Sequence, residues 1–157
     1  MTGRPSKGLT TALMTLGVAL LLAGCGGGGD GTSANALTKA QFLKKANAIC
    51  VRGTKEWGIR DRAFWRKHTF PVPEPALARG TREIVMPVRK KELRLIRALG
   101  LPREGTHYVE VMLSAWEEGI EKGEEDARSL RAGGPKYAFY KSYSMGIDYG
   151  LEKCWLG

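Results

Sequence analysis

Residues 38–57 read TKAQFLKKANAICVRGTKEW, and this stretch decides the fold. Thr38 with Gln41 three residues later is a capping-box pattern, which satisfies two otherwise orphaned amides and announces a helix N-terminus. Phe42, Ala46, Ile49, Gly53, Trp57 and Phe64 then recur at intervals that place them on one helical face. The pattern predicts a first helix from Lys39 to about Lys67. Gly53 and Gly58 weaken it locally, so a kink or an early end is open. Pro71, Pro73 and Pro75 force an extended connection after it.

Downstream the period stays helical. A second helical region lies between Ala76 and Leu99, where Pro87 demands either a kink or a fresh start, because it lacks an amide donor and disfavours a helical Met86. Val88, Leu95 and Leu99 share its apolar face, and Gly100 with Pro102 supplies a stop. The third helix is expected from about Thr106 to Arg131, with Val109, Met112, Trp116, Gly123, Ala127 and Leu130 inward. A last helix is expected from Pro135, carrying Tyr137, Tyr140, Ser144, Ile147, Leu151 and Cys154 on its buried stripe. The fold class is therefore all-α, a single small bundle of about four helices over residues 37–157, stapled by one disulfide.

Upstream, the composition changes abruptly. Gly26 to Ala36 holds almost nothing to bury and reads as a flexible tether with a mean reach near ~18 Å. Before it, Arg4 and Lys7 precede an uncharged apolar run from Leu9 to Leu22, shorter than the ~20 residues of a membrane-spanning helix. Residues 1–24 are a targeting segment. Leu22-Ala23-Gly24-Cys25 resembles the lipobox of bacterial lipoproteins. That resemblance implies a diacylglyceryl group on the Cys25 thiol, cleavage before Cys25, and residues 25–36 as lipidated cysteine and tether. The expected address is the extracytoplasmic face of the cell membrane, with the membrane as partner through the lipid.

Charge and cysteine usage agree with export. The chain carries +9 at pH 7, and loss of Arg4 and Lys7 with the signal leaves about +7, a balance that favours anionic headgroups or wall polymers. Export ranks nucleic acid last. Removing Cys25 from the count leaves Cys50 and Cys154, an even pair expected to form a disulfide in an oxidising compartment. Two buried thiols or a metal site are the competing readings. His68 and His107 lie at no ligand spacing from either cysteine, which puts a metal last.

The domain itself resembles a group of small cell-envelope lipoproteins of Gram-positive bacteria. The matching residues are Leu37 to Phe42, Ala46 to Cys50, Pro87, Leu99 to Pro102, and Tyr149-Gly150-Leu151 with Cys154. The resemblance implies the fold and the paired cysteines, and it brings no activity.

No catalytic constellation has a specific spacing: there is no Gly-x-Ser-x-Gly, His-Glu-x-x-His, phosphate-binding glycine loop or Cys-x-x-Cys. No catalytic residue, metal ligand or cofactor is assigned. Glu110, Glu117, Glu118, Glu121, Glu124 and Glu125 fall opposite the apolar face of helix three and read as a solvated surface. On helix two, Arg82, Arg89, Lys90, Arg94 and Arg97 project away from Val88, Leu95 and Leu99. They form either a solvated face balanced by acids of helix three or an anion-binding surface. Tyr137, Phe139, Tyr140, Tyr143 and Tyr149 read as core and boundary packing, with an aromatic pocket as the lesser alternative. The expected function is a binding or interaction module of the envelope, with an enzyme or small-ligand protein as the alternative.

Overall fold

The computed structural model describes residues 36–155. The expected signal segment, Cys25 and the tether before Ala36 lie outside the described residues. Four α-helices follow in order: α1 (Lys39–Trp65), α2 (Glu74–Arg97), α3 (Thr106–Glu125) and α4 (Tyr140–Tyr149), with 3-10 turns at Ala127–Arg131, Gly134–Lys136 and Glu152–Cys154. Among the described residues there is no strand, and no helix is long and apolar enough to cross a membrane.

The capping box starts α1 as read from the sequence. Thr38 Oγ1 accepts from the Gln41 amide at 3.3 Å, and Gln41 Oε1 accepts from the Thr38 amide at 3.0 Å. Neither glycine breaks the helix. Phe42, Ala46, Ile49, Cys50 and Gly53 are buried, one face of a rod about 40 Å long at ~1.5 Å per residue.

Pro87 neither ends nor restarts α2, which begins at Glu74 and runs through it. The proline and Glu83, whose carbonyl loses its helical donor, are both exposed, so water can take the orphaned acceptor. The buried arc also differs from the one expected: Ile84, Met86, Val88, Glu92, Leu93 and Ile96 are inward, whereas Leu95 and Leu99 are only half-buried.

Helix three stops at Glu125, earlier than expected. Asp126 turns extended (φ −131°, ψ 98°) and its carboxylate accepts from the Arg128 amide at 3.0 Å. The Ser129 hydroxyl donates to the Asp126 carbonyl at 2.6 Å. Ala127 and Leu130 are buried as anticipated, in a 3-10 turn rather than a helix.

Helix four is shorter at both ends and rotated from its expected stripe. Ser144, Ile147 and Tyr140 are exposed, whereas Phe139, Ser142, Gly146 and Tyr149 are buried. Gly150 ends the helix in the left-handed region (φ 106°), and Leu151 N–H donates to Gly146 O at 2.7 Å while Gly150 N–H reaches Ile147 O at 3.0 Å. That pair of bonds is a Schellman stop. Gly146 is buried because the Trp155 indole lies on it, 2.4 Å from where a Cβ would stand.

Cys50 and Cys154 form the disulfide (S–S 2.04 Å, Cα–Cα 4.6 Å), joining α1 to the last 3-10 turn. One turn earlier on α1, Asn47 brackets the same segment. Its amide donates to Gly150 O at 3.1 Å and its carbonyl accepts from the Lys153 amide at 3.1 Å. The core centres on Trp116, Phe42, Phe139, Ile96 and Met112, all fully buried.

Candidate functional site

Sequence reasoning placed Arg89 on an outer basic face, and the structure turns it inward. At ~100° per residue Arg89 falls on the arc of Val85, Leu93 and Ile96, four before, four after and seven after it. Only 15% of its side chain is exposed. The guanidinium donates to Glu92 Oε2 at 2.9 Å and to the Cys154 carbonyl. It also lies 5.4 Å from the Trp155 ring centre and 5.9 Å from that of Phe139, within cation–π reach. The signal that could have found it was present: an Arg and a Glu three apart, both inside the apolar arc.

Glu92 is the buried acid among the described residues, with its carboxylate pressed against Gly53 of α1. A Cβ at Gly53 would stand 1.9 Å from Glu92 Oε1. Gly53 is thus where α1 admits the carboxylate, not a weak point in a helix. Burial pushes the Glu92 carboxyl above its ordinary range, the Arg89 charge and hydrogen bond pull it back, and the Glu56 charge adds to the rise.

Beside this pair opens a cavity of about 120 Å³, walled by Gly53, Thr54, Trp57, Val88, Leu130 and Tyr137 along with Arg89 and Glu92. Two larger clefts share part of its lining. One shares Trp57 and Leu130 and adds Phe64 and Trp65, and the other shares Leu130 and Tyr137 and adds Tyr140, Tyr143 and Trp155. At ~30 Å³ per water the central cavity has room for about four waters. It can receive one small polar group of a ligand, with aromatic rings on either side to hold the rest.

The remaining members of the expected anion-binding face fare differently. Lys90 pairs with Glu124, and Arg97 forks onto Glu117 with bonds of 3.1 and 2.7 Å. Glu117 holds its carboxyl below the ordinary range through that hydrogen bond, and the Arg97 guanidinium is raised by it. Arg82 and Arg94 stay exposed. The acids of α3 therefore cancel much of the α2 charge, so the five residues do not form one open basic surface.

The α3 glutamates lie on the surface as a row, and Glu118 reaches Lys141 at 3.2 Å. Among the described residues no three His, Cys, Asp or Glu side chains gather as a metal site would need. His68 Nδ1 sits 2.9 Å from the Phe64 carbonyl with its ring stacked on Phe64, and His107 is exposed.

Fold and site together define a class: a disulfide-stapled, all-α domain with a small cavity beside a buried Arg–Glu pair. No family model, curated protein or solved structure matches the chain, so the likeness to envelope lipoproteins rests on the residues quoted for it above.

Proposed function

We propose that the chain is a lipid-anchored lipoprotein of the cell envelope, held at the extracytoplasmic face through Cys25. Its helical domain is a non-enzymatic binding module that takes a small polar group beside Arg89 and Glu92. Support for the address comes from the order of n-region, apolar run, Leu22-Ala23-Gly24-Cys25 and glycine-rich tether. Two acyl chains on one cysteine are enough for stable anchoring. The disulfide is consistent with an oxidising compartment.

The observation that carries the binding role is the buried Arg89–Glu92 pair opening on the cavity. A buried ion pair adds little stability over a well-packed apolar substitute. Its value here is to offer a fixed donor and a fixed acceptor to one bound group. An enzyme is the second reading, favoured by the raised Glu92 carboxyl in a cleft.

Intact-mass analysis of membrane-extracted protein should find a chain beginning at a diacylated Cys25; an unmodified cysteine or cleavage elsewhere would overturn the anchor. For the site, fragments bearing a hydroxyl, amide or carboxylate should be titrated into the folded domain while backbone amides are followed by NMR. Saturable shifts at Gly53, Thr54 and Arg89 are expected. Shifts confined to other surfaces would refute the binding role, and turnover lost in Glu92→Gln would replace it by the enzyme.

A further inference from the structure

The longest run of unpaired basic side chains in the domain lies on α1 and its C-cap. Lys44, Lys45, Arg52, Lys55, Arg62 and Arg66 fall within one outward arc of the helix at ~100° per residue, opposite Phe42, Ala46, Ile49 and Gly53. All six are exposed. Among the described residues none of them has an acidic partner at ion-pair distance. The two acids of α1, Glu56 and Asp61, lie outside the arc. Glu56 is taken by Arg60 at 3.0 Å and Lys91 at 2.7 Å, and Asp61 accepts from the Trp65 indole at 3.0 Å.

Between these bases stand apolar side chains that no other element covers. Ile59 is 62% exposed and Val51 42%, and Ala48 joins them on the arc. Just beyond the helix, Phe70 is 80% exposed and stacks on Trp65. Long basic side chains around a narrow apolar strip are what an interfacial helix presents to lipid: the strip enters the headgroup boundary while the cations meet phosphates.

We infer that the outer face of α1 is a membrane-contact surface that lays the domain against anionic phospholipid. Charge complementarity selects the occupant. Six cations without counter-charges on one rod attract an anionic plane, and the exposed Ile59 and Val51 are matched by acyl chains rather than by a hydrophilic polymer. The surface acts without the lipid on Cys25, so its test is independent of the anchor.

The chain from residue 32 onward, which lacks Cys25, serves as the probe. Its co-sedimentation would be measured with vesicles of neutral phosphatidylcholine and with vesicles containing phosphatidylglycerol, at low and high salt. Binding to the anionic vesicles alone is expected, weakening as salt shortens the Debye length from about 10 Å at 0.1 M to about 3 Å at 1 M. Replacing Lys44, Arg52 and Lys55 by Gln should weaken it about 100-fold. Ile59→Ser should weaken it further, and Lys90→Gln with Arg94→Gln on α2 should leave it within about threefold. Circular dichroism would show each variant folded, as expected for exposed positions. Equal binding to both vesicle types, undiminished binding of the α1 triple variant, or capture by an anionic wall polymer in preference to vesicles would each overturn the assignment.

Discussion

On α1 and its C-cap six basic side chains share an arc with no acid, whereas on α2 Arg89, Arg97, Lys90 and Lys91 are met by Glu92, Glu117, Glu124 and Glu56. The two helices look alike as charge patterns, and what differs is the neighbour. Helix α2 packs between α1 and α3, whose glutamate row borders its exposed edge, while α1 packs chiefly on α2 and the last 3-10 turn. A run of cations on one helix therefore says little about free charge until the adjoining helix is known. The same contrast separates the interiors: α2 sends in an ion pair, and α1 makes room for it with a glycine.

The strongest way to break this arrangement is through the disulfide, because the Cys154 carbonyl is an acceptor for Arg89. Cys50→Ala with Cys154→Ala opens a loop of 104 residues. The loss of stability should be as much as about 4.7 kcal/mol in the chain-entropy model, measured by urea unfolding. A loss under about 1 kcal/mol would mean that packing alone holds the last turn.

Arg89→Ala should come next. It leaves Glu92 buried without its counter-charge, at a cost of about 3 kcal/mol. Arg52→Ala on the outer face of α1 should change stability by no more than about 0.5 kcal/mol. Equal effects in thermal or urea unfolding would erase the distinction between the inward and outward arginines.

Two glycines of α1 sharpen the contrast by sign. At Gly53 a methyl group collides with the Glu92 carboxylate, so Gly53→Ala should destabilise by about 1–3 kcal/mol. At Gly58 the nearest atom is the far end of Arg62, at 3.4 Å, and Gly58→Ala should stabilise by about 0.5–1 kcal/mol through helix propensity. Urea midpoints moving in the same direction would show that Gly53 is not the point of close approach.

The smallest effect is a slope. Because the folded-state pKa of Glu92 lies above its unfolded value, the folded protein binds that proton more tightly. Its contribution to stability is present below the ordinary glutamate pKa of ~4.3 and is lost as pH rises through the folded value. The stability of wild type relative to Glu92→Gln should therefore fall as pH rises above about 4.3, with the other carboxylates cancelling in the difference. A flat or rising difference would place Glu92 in contact with more positive charge than Arg89 alone supplies.

Much was legible in the residues. The capping box at Thr38, the Phe42–Ala46–Ile49–Gly53 face and the apolar stripe of α3 follow from period and local chemistry, which act within a few residues of chain. Arg89 was legible too, had its place on the helical arc been weighed above its charge. The ends of α3 and α4 were not, since Asp126, Ser129 and Gly150 stop them through hydrogen bonds that a continuous apolar period conceals. The stripe of α4 was misplaced because Tyr149, Phe139 and the glycine under Trp155 outweigh Ile147 and Tyr140 only when their packing partners are in position.

What the sequence by itself determined is therefore the all-α class and a basic domain behind a glycine-rich stretch, because these depend on composition and short-range periodicity; it favoured the Cys50–Cys154 pair, and the packing of α1 on the last turn brings the two together. Only the tertiary structure decided which cations are free, where Glu92 is buried and how Gly53 admits it. Each of those depends on groups 20 to 65 positions apart that share no local pattern and meet only when the helices pack.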